Sequence, residues 1–323
     1  MSHNLNINAA GRASIAFAGE TPWHRLGQKI NGAFDAATAL REGGLDYTVE
    51  KVPVCTADDN LTIPDRFALR RTDTRDVLGM VTDFYQPLQN REAFGFFDAV
   101  FGKGKARYEV AGVLGKGEKV WLLAKLPGEF AVAGADTVGK FLLLSNGFDC
   151  NEPIRARFTP IRVVCQNTLT AALRGTESEI RIQHIGDVQG KLEIAGKLLK
   201  AAGVYYQDLE EVFRGFVRRE MTSRTLNNYV TRAVTGQITK LEDLTKPARK
   251  TVDRILDLHE TGRGADLKNV RGSLWGAYNA ITEHVDHDRT DKGIAYMAFG
   301  RGAEVKQRAF QVAQDMIVNA ANN

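Results

Sequence analysis

Residues 106–126, ARYEVAGVLGKGEKVWLLAKL, decide the fold. Two apolar-rich runs, Ala106–Leu114 and Lys119–Leu126, flank Gly115-Lys116-Gly117-Glu118, a glycine-bearing turn that suits an antiparallel hairpin. Short runs on both sides have the same texture. Downstream, Lys140–Ser145 and Ile154–Phe158 read as strands. Upstream, Asp46–Val54 alternates apolar with polar residues and puts Tyr47 and Val49 on a buried side. Phe67–Arg71 and Val77–Thr82 form a second hairpin across the polar turn 72–76.

Helices are few before residue 187. Asp35 caps a short Ala-rich one that Gly43-Gly44 ends, and Asn90 heads another through Phe94, Phe97 and Phe101. Residues 163–173 read as a helix entered from an extended arm, with Asn167 and Thr168 as capping groups. From residue 188 the period becomes helical. Leu192, Ala195, Leu198, Leu199, Ala202, Leu209, Val212, Phe213 and Phe216 make one long stripe, with a bend expected at 203–206. Further helices are expected at 223–234, 247–260, 272–287 and 303–320. The fold class is therefore α+β: an antiparallel-rich mixed sheet with helices in the N-terminal half, followed by an all-helical C-terminal half. The corresponding division is an α+β domain over 1–187 and a helical domain over 188–323.

With 323 residues, 43% hydrophobic and 25% charged, the chain has globular composition, which excludes wholesale disorder and fibrous proteins. No run approaches the ~20 apolar residues of a membrane span, and the first fourteen residues lack the apolar core of a signal peptide. Cys55, Cys150 and Cys165 form no C-x-x-C pair, so a reduced, cytoplasmic setting is expected.

Charge is uneven. Lys and Arg number 10 against 13 Asp and Glu in residues 1–100, 15 against 10 in 101–200, and 18 against 16 in 201–323. The excess in the middle suits a groove that follows a polyanion. Within it, Ile154-Arg155-Ala156-Arg157-Phe158 puts Arg155 and Arg157 on one strand face, about 7 Å apart at ~3.3 Å per residue, a spacing that matches successive phosphates. Arg162 follows. Phe158 offers an apolar surface for a base. Lys103, Lys105, Arg107, Tyr108, Lys116 and Lys119 surround the deciding hairpin and extend the basic surface. The Gly-Lys-Gly turn is not a nucleotide loop, because G-x-x-x-x-G-K-[ST] occurs nowhere in the chain. No cofactor is expected.

Three other groupings carry potentially reactive side chains. His284, Asp286, His287 and Asp288 end a helix, and imidazole with carboxylate at three- and four-residue spacing is a metal-ligand pattern. The same residues also suit a polar helix C-terminus. Trp23-His24 reads as an anchor for the N-terminal segment rather than as a catalytic pair. Cys165 reads as a small buried apolar residue rather than as a nucleophile.

Several stretches together resemble a family of phage/plasmid-like proteins built around a domain of unknown function. They are residues 19–27 (GETPWHRLG), 143–149 (LLSNGFD), 158–169 (FTPIRVVCQNTL) and 275–287 (WGAYNAITEHVDH), in the family's order. Asn146-Gly147-Phe148-Asp149 departs from the Ser-His-Asp-Gly-like turn of many relatives and lacks its histidine. The resemblance implies a mobile-element context and supplies no reaction. The α+β half also looks broadly like the cores of single-strand annealing proteins, an analogy of fold alone. The leading expectation is a mobile-element protein that binds single-stranded DNA as a homo-oligomer and promotes annealing or recombination. The alternatives are a module that binds a host protein, and a metal-dependent nuclease or hydrolase built on residues 284–288. Enzymatic activity is left open, with the balance against it.

Overall fold

A computed structural model describes residues 6–8, 11–18, 27–31, 34–93, 107–149, 154–162, 167–168, 179–182, 188–237, 240–289, 293 and 295–321. The deciding hairpin forms as read: β6 (Arg107–Leu114) and β7 (Lys119–Ala133) pair antiparallel. Gly115 and Gly117 turn the chain at φ +64 and +121, the latter beyond reach of most side chains. β7 runs past Leu126, where the sequence reading ended it. Pro127-Gly128 produces a register shift between Lys125 and Glu129 instead of a stop.

Around this hairpin lies a nine-stranded mixed sheet. β1 (Ile15–Phe17) and β2 (Gln28–Lys29) form its only parallel pair among the described residues. β8 (Asp136–Gly147) joins β7 through a two-residue turn. One part of β8 pairs with β9 (Ile154–Phe158) and another with β10 (Ile161–Arg162). β11 (Asn167–Thr168) lies on β10, and β12 (Glu179–Ile182) on β9. Asn167 and Thr168 are thus a strand and not helix caps; the rest of the helix expected over 163–173 lies outside the described residues. A separate three-stranded antiparallel sheet contains β3 (Val49–Cys55), β4 (Thr62–Arg71) and β5 (Val77–Val81). Helix α1 (Ala36–Glu42) has Asp35 as its cap, whose carboxylate accepts from the Thr38 N–H at 2.8 Å. A helical turn begins at Asn90, whose buried amide donates to the Leu45 carbonyl; Phe94, Phe97 and Phe101 lie outside the described residues.

The long helices among the described residues are α2 (Val188–Arg218), α3 (Ser223–Thr235), α4 (Lys246–Thr261), α5 (Leu274–Glu283) and α6 (Arg301–Ala321). Helices therefore lie mostly in the C-terminal half of an α+β chain. α2 is unbroken at 203–206, because Tyr205 and Tyr206 continue its buried stripe through Leu209, Phe213 and Phe216. The tail of α5 widens into π-helical turns over His284–Asp288, and a second π-helical stretch covers Ala295–Phe299. No helix among the described residues is long and apolar enough to cross a membrane.

The helices pack on one face of the large sheet. Alternation sends Leu142, Leu144, Ala156 and Phe158 to that face, where they are buried. Phe158 meets Tyr205 with ring centroids 5.0 Å apart, and the Tyr206 hydroxyl bonds the Phe141 backbone. Phe130 stacks on Phe213, and the Trp275 indole donates to the Asp136 carboxylate at 2.7 Å. Sheet and helices thus share one continuous apolar core.

Candidate nucleic-acid interface

β9 carries arginine at every second position, and the sheet fixes where those side chains go. With Ala156 and Phe158 committed to the core, Arg155 and Arg157 occupy the opposite face. Antiparallel pairing sets Arg155 opposite Arg181 of β12, and Arg157 opposite Glu179. Directly opposed residues share a face with Cβ atoms about 5 Å apart, so the four form one cluster. Glu179 accepts from Arg155 at 3.1 Å and from Arg157 at 3.1 Å, with the Arg181 Nε at 3.6 Å. Arg155, Arg157 and Glu179 are partly buried, while Arg181 is two-thirds exposed. Burial disfavours the Glu179 charge, but hydrogen bonds and charges from Arg157 and Arg155 outweigh it and hold the carboxyl below its ordinary range.

The pairing register extends this face. Ser145 lies opposite Arg155, and Trp121 opposite Ser145. Lys119 and Lys125 stand two positions before Trp121 and four after it, so they face the same way, and Arg107 is opposite Lys125. Arg107, Lys119, Lys125, Arg155, Arg157 and Arg181 therefore share one side of the sheet. Strand spacing places Arg107 about 20 Å from Arg155 across it. Lys125 pairs with Glu129 at 2.9 Å, and Arg107 lies 3.5 Å from Glu109, whose carboxyl is raised by burial against the pull of Arg107 and Lys125. Lys119 sits over the Phe299 ring at 4.5 Å. Trp121 lies across Gly112, where a Cβ would come within 3.1 Å of the indole. A side chain at that position would press on the indole.

The two aromatic residues expected to support bases belong elsewhere. Phe158 and Tyr108 are 2% and 1% exposed, on the helix-covered face. Alternation along β9 separates Phe158 from its arginine neighbours, so these residues serve the core. Lys116 occupies the β6–β7 turn, about two-thirds exposed, with Asp76 at 3.9 Å. Arg162 lies in β10, its backbone paired with Val138 and Asn167. Lys103 and Lys105 lie outside the described residues, as do Trp23, His24, Cys150 and Cys165. Sequence reading missed Lys125 and Arg181. Carrying period two from Lys119 through Trp121 to Lys125 would have found the first. Arg181 becomes a neighbour only through its strand pairing with Arg155, 26 residues earlier.

The candidate metal cluster is partitioned by its surroundings. Asp286 is buried against Lys306 at 2.8 Å. Asp288 is held by Arg254 at 2.7 Å and by His284 at 3.1 Å. His287 lies against the Arg263 guanidinium. Among the described residues, no three His, Cys, Asp or Glu side chains gather as a set that would hold a metal ion. Each carboxylate of this group instead has a cationic partner. Burial lowers the pKa of His284 although Asp288 pulls it upward, which favours a neutral ring.

A mixed sheet with helices on one face, and with Arg155, Arg157 and Arg181 gathered around Glu179 on the other, defines an α+β protein. The chain belongs to the family described as Domain of unknown function (DUF932), matched over residues 77–317, which include both the sheet core and the helices. No curated protein and no solved structure matches it.

Proposed function

We propose that the chain binds single-stranded DNA along the cationic face of its large sheet, as a homo-oligomer in the cytoplasm of a cell that hosts a phage, prophage or plasmid element, where it promotes strand annealing or recombination. The supporting observation is that six cations on four strands share one sheet face, with three of them meeting at a single carboxylate. Arginine guanidiniums match phosphate oxygens in pairs, and Arg155, Arg157 and Arg181 stand together on β9 and β12. Arg155, Arg157 and Arg181 are the phosphate ligands in this reading, with Lys119, Lys125, Arg107, Lys116 and Arg162 as further contacts. No base platform is assigned to Phe158 or Tyr108.

Fluorescence anisotropy with a labelled single-stranded oligonucleotide, titrated with salt, tests the reading. The double variant Arg155→Ala/Arg157→Ala is expected to bind more weakly and to reduce the salt slope by about 1.4, since each lost phosphate contact on a single strand is worth about 0.7. Unchanged affinity and slope would remove the assigned face.

A second reading, a module for a host protein, has its own observation. The small sheet exposes Val77 and Met80 by more than half, and Phe84 beyond it is 95% exposed. Exposed apolar residues grouped in this way mark contact surfaces. A chain that binds no oligonucleotide at low salt but retains one host protein in a pull-down, lost in Met80→Glu, would favour it.

A further inference from the structure

The charges around Glu179 do not balance. Three guanidiniums meet one carboxylate, and arginine only donates. Both carboxylate oxygens are engaged, by Arg155 at 3.1 and 3.4 Å and by Arg157 at 3.1 Å. Even so, the Arg155 Nε is buried with no acceptor among the described residues. Glu179 therefore leaves donors unfilled, and a buried charged donor without a partner is costly. Because the arginines keep Glu179 ionised, its charge is a fixed part of the cluster at neutral pH.

A phosphodiester has the same planar pair of acceptor oxygens that a carboxylate offers to guanidinium, and one negative charge. We infer that Glu179 is a built-in counter-anion resting in a phosphate-binding cluster, and that a phosphodiester of a bound single strand displaces it. The inference rests on the reading of Arg155 and Arg157 as phosphate ligands and adds a regulator to that site. Glu179 holds the arginines together in the empty protein and competes with the ligand for them. Its charge therefore lowers affinity, the opposite of what a merely structural ion pair would do. On β12, two-thirds exposed and 3.6 Å from Glu179, Arg181 is placed to follow either anion.

The test compares the full chain with Glu179→Gln. The variant should melt lower in chloride buffer, where three arginines have lost their anion, yet bind the single-stranded oligonucleotide about fivefold more tightly at low salt, a gain that shrinks as salt screens it. Added oligonucleotide should raise its Tm more than that of the wild type. A folded Glu179→Gln chain with unchanged or weaker binding overturns the inference; if Arg155→Ala/Arg157→Ala still weakens binding, the DNA reading survives alone. If no form binds oligonucleotide but inorganic phosphate raises the Tm of Glu179→Gln more than that of wild type, the displaced anion stands and the DNA reading falls. If neither ligand acts, both fall. Should Glu179→Gln fail to fold, carbon NMR of the wild type decides. The Glu179 carboxylate signal should move when oligonucleotide saturates the chain, and a signal that stays in place refutes displacement.

Discussion

At the residue scale, the unusual feature is charge inside the core. Lys306 and Asp286 form an ion pair whose side chains are 1% and 4% exposed. Desolvating both costs more than their attraction returns unless the geometry is close, and breaking such a pair from one side leaves a buried charge with no partner. Lys306→Met alone is expected to destabilise by about 3–5 kcal/mol in urea denaturation, and Lys306→Met with Asp286→Leu to regain most of that loss. A double variant no more stable than the single one would show that Asp286 has no need of its cation. This pair also shows why the 284–288 cluster was open to two readings in the sequence. Spacing alone places His284, His287 and Asp288 on one helical face. Only the fold brings Lys306 from α6 and Arg254 from α4 to their carboxylates. Phe158 differs: the alternation that put Arg155 and Arg157 together already sent it to the other side of the strand, where it is buried.

At the element scale, the β6–β7 turn joins the two sheets. The Tyr47 hydroxyl donates to the Gly117 carbonyl at 2.8 Å, and Arg71 donates to the Lys116 carbonyl at 2.8 Å while its guanidinium covers the Tyr47 ring at 3.8 Å. Arg71 is fixed in turn by both oxygens of Asp73. Gly117 has φ +121, and a Cβ there would approach Arg71 and the Tyr47 hydroxyl to 3.0 Å. Gly134, in the turn between β7 and β8, has φ +60 with open space around it. Gly117→Ala is thus expected to cost about 2 kcal/mol or more, and Gly134→Ala about 1 kcal/mol, by thermal unfolding. Equal costs would mean that the turn's contacts with Arg71 and Tyr47 contribute nothing. Elements whose signal is local were legible: the glycine turn, β9 over its full length, α1 with its Asp35 cap, and the later helices within a few residues. β1 and β2, three and two residues long, carry too little pattern to announce themselves. β7 runs past Leu126, where the sequence reading ended it, because a register shift between Lys125 and Glu129 accommodates Pro127-Gly128.

At the scale of the whole molecule, strands precede helices in sequence, but the core does not respect that order. Phe213 of α2 lies within reach of Phe130 from β7, and of Trp275 from α5 at 4.6 Å. Trp275 in turn spends its only donor on Asp136 at the start of β8, across 139 residues. A chain of this length is large enough to unfold in stages. A boundary between parts, however, needs a place where few contacts cross, and here aromatic packing and buried hydrogen bonds link the large sheet to α2 and α5. The sheet and the helices are therefore expected to unfold together. Urea transitions followed by far-UV circular dichroism and by tryptophan fluorescence in a Trp23→Phe background, which then reports on Trp121 in the sheet and Trp275 in the helices, should superimpose. Asp136→Ala leaves the buried indole N–H without its acceptor, a loss of about 1–3 kcal/mol, and should lower both midpoints by the same amount. A helical signal that persists after the fluorescence change, or an Asp136→Ala shift confined to one probe, would show instead that the helices form a unit stable without the sheet.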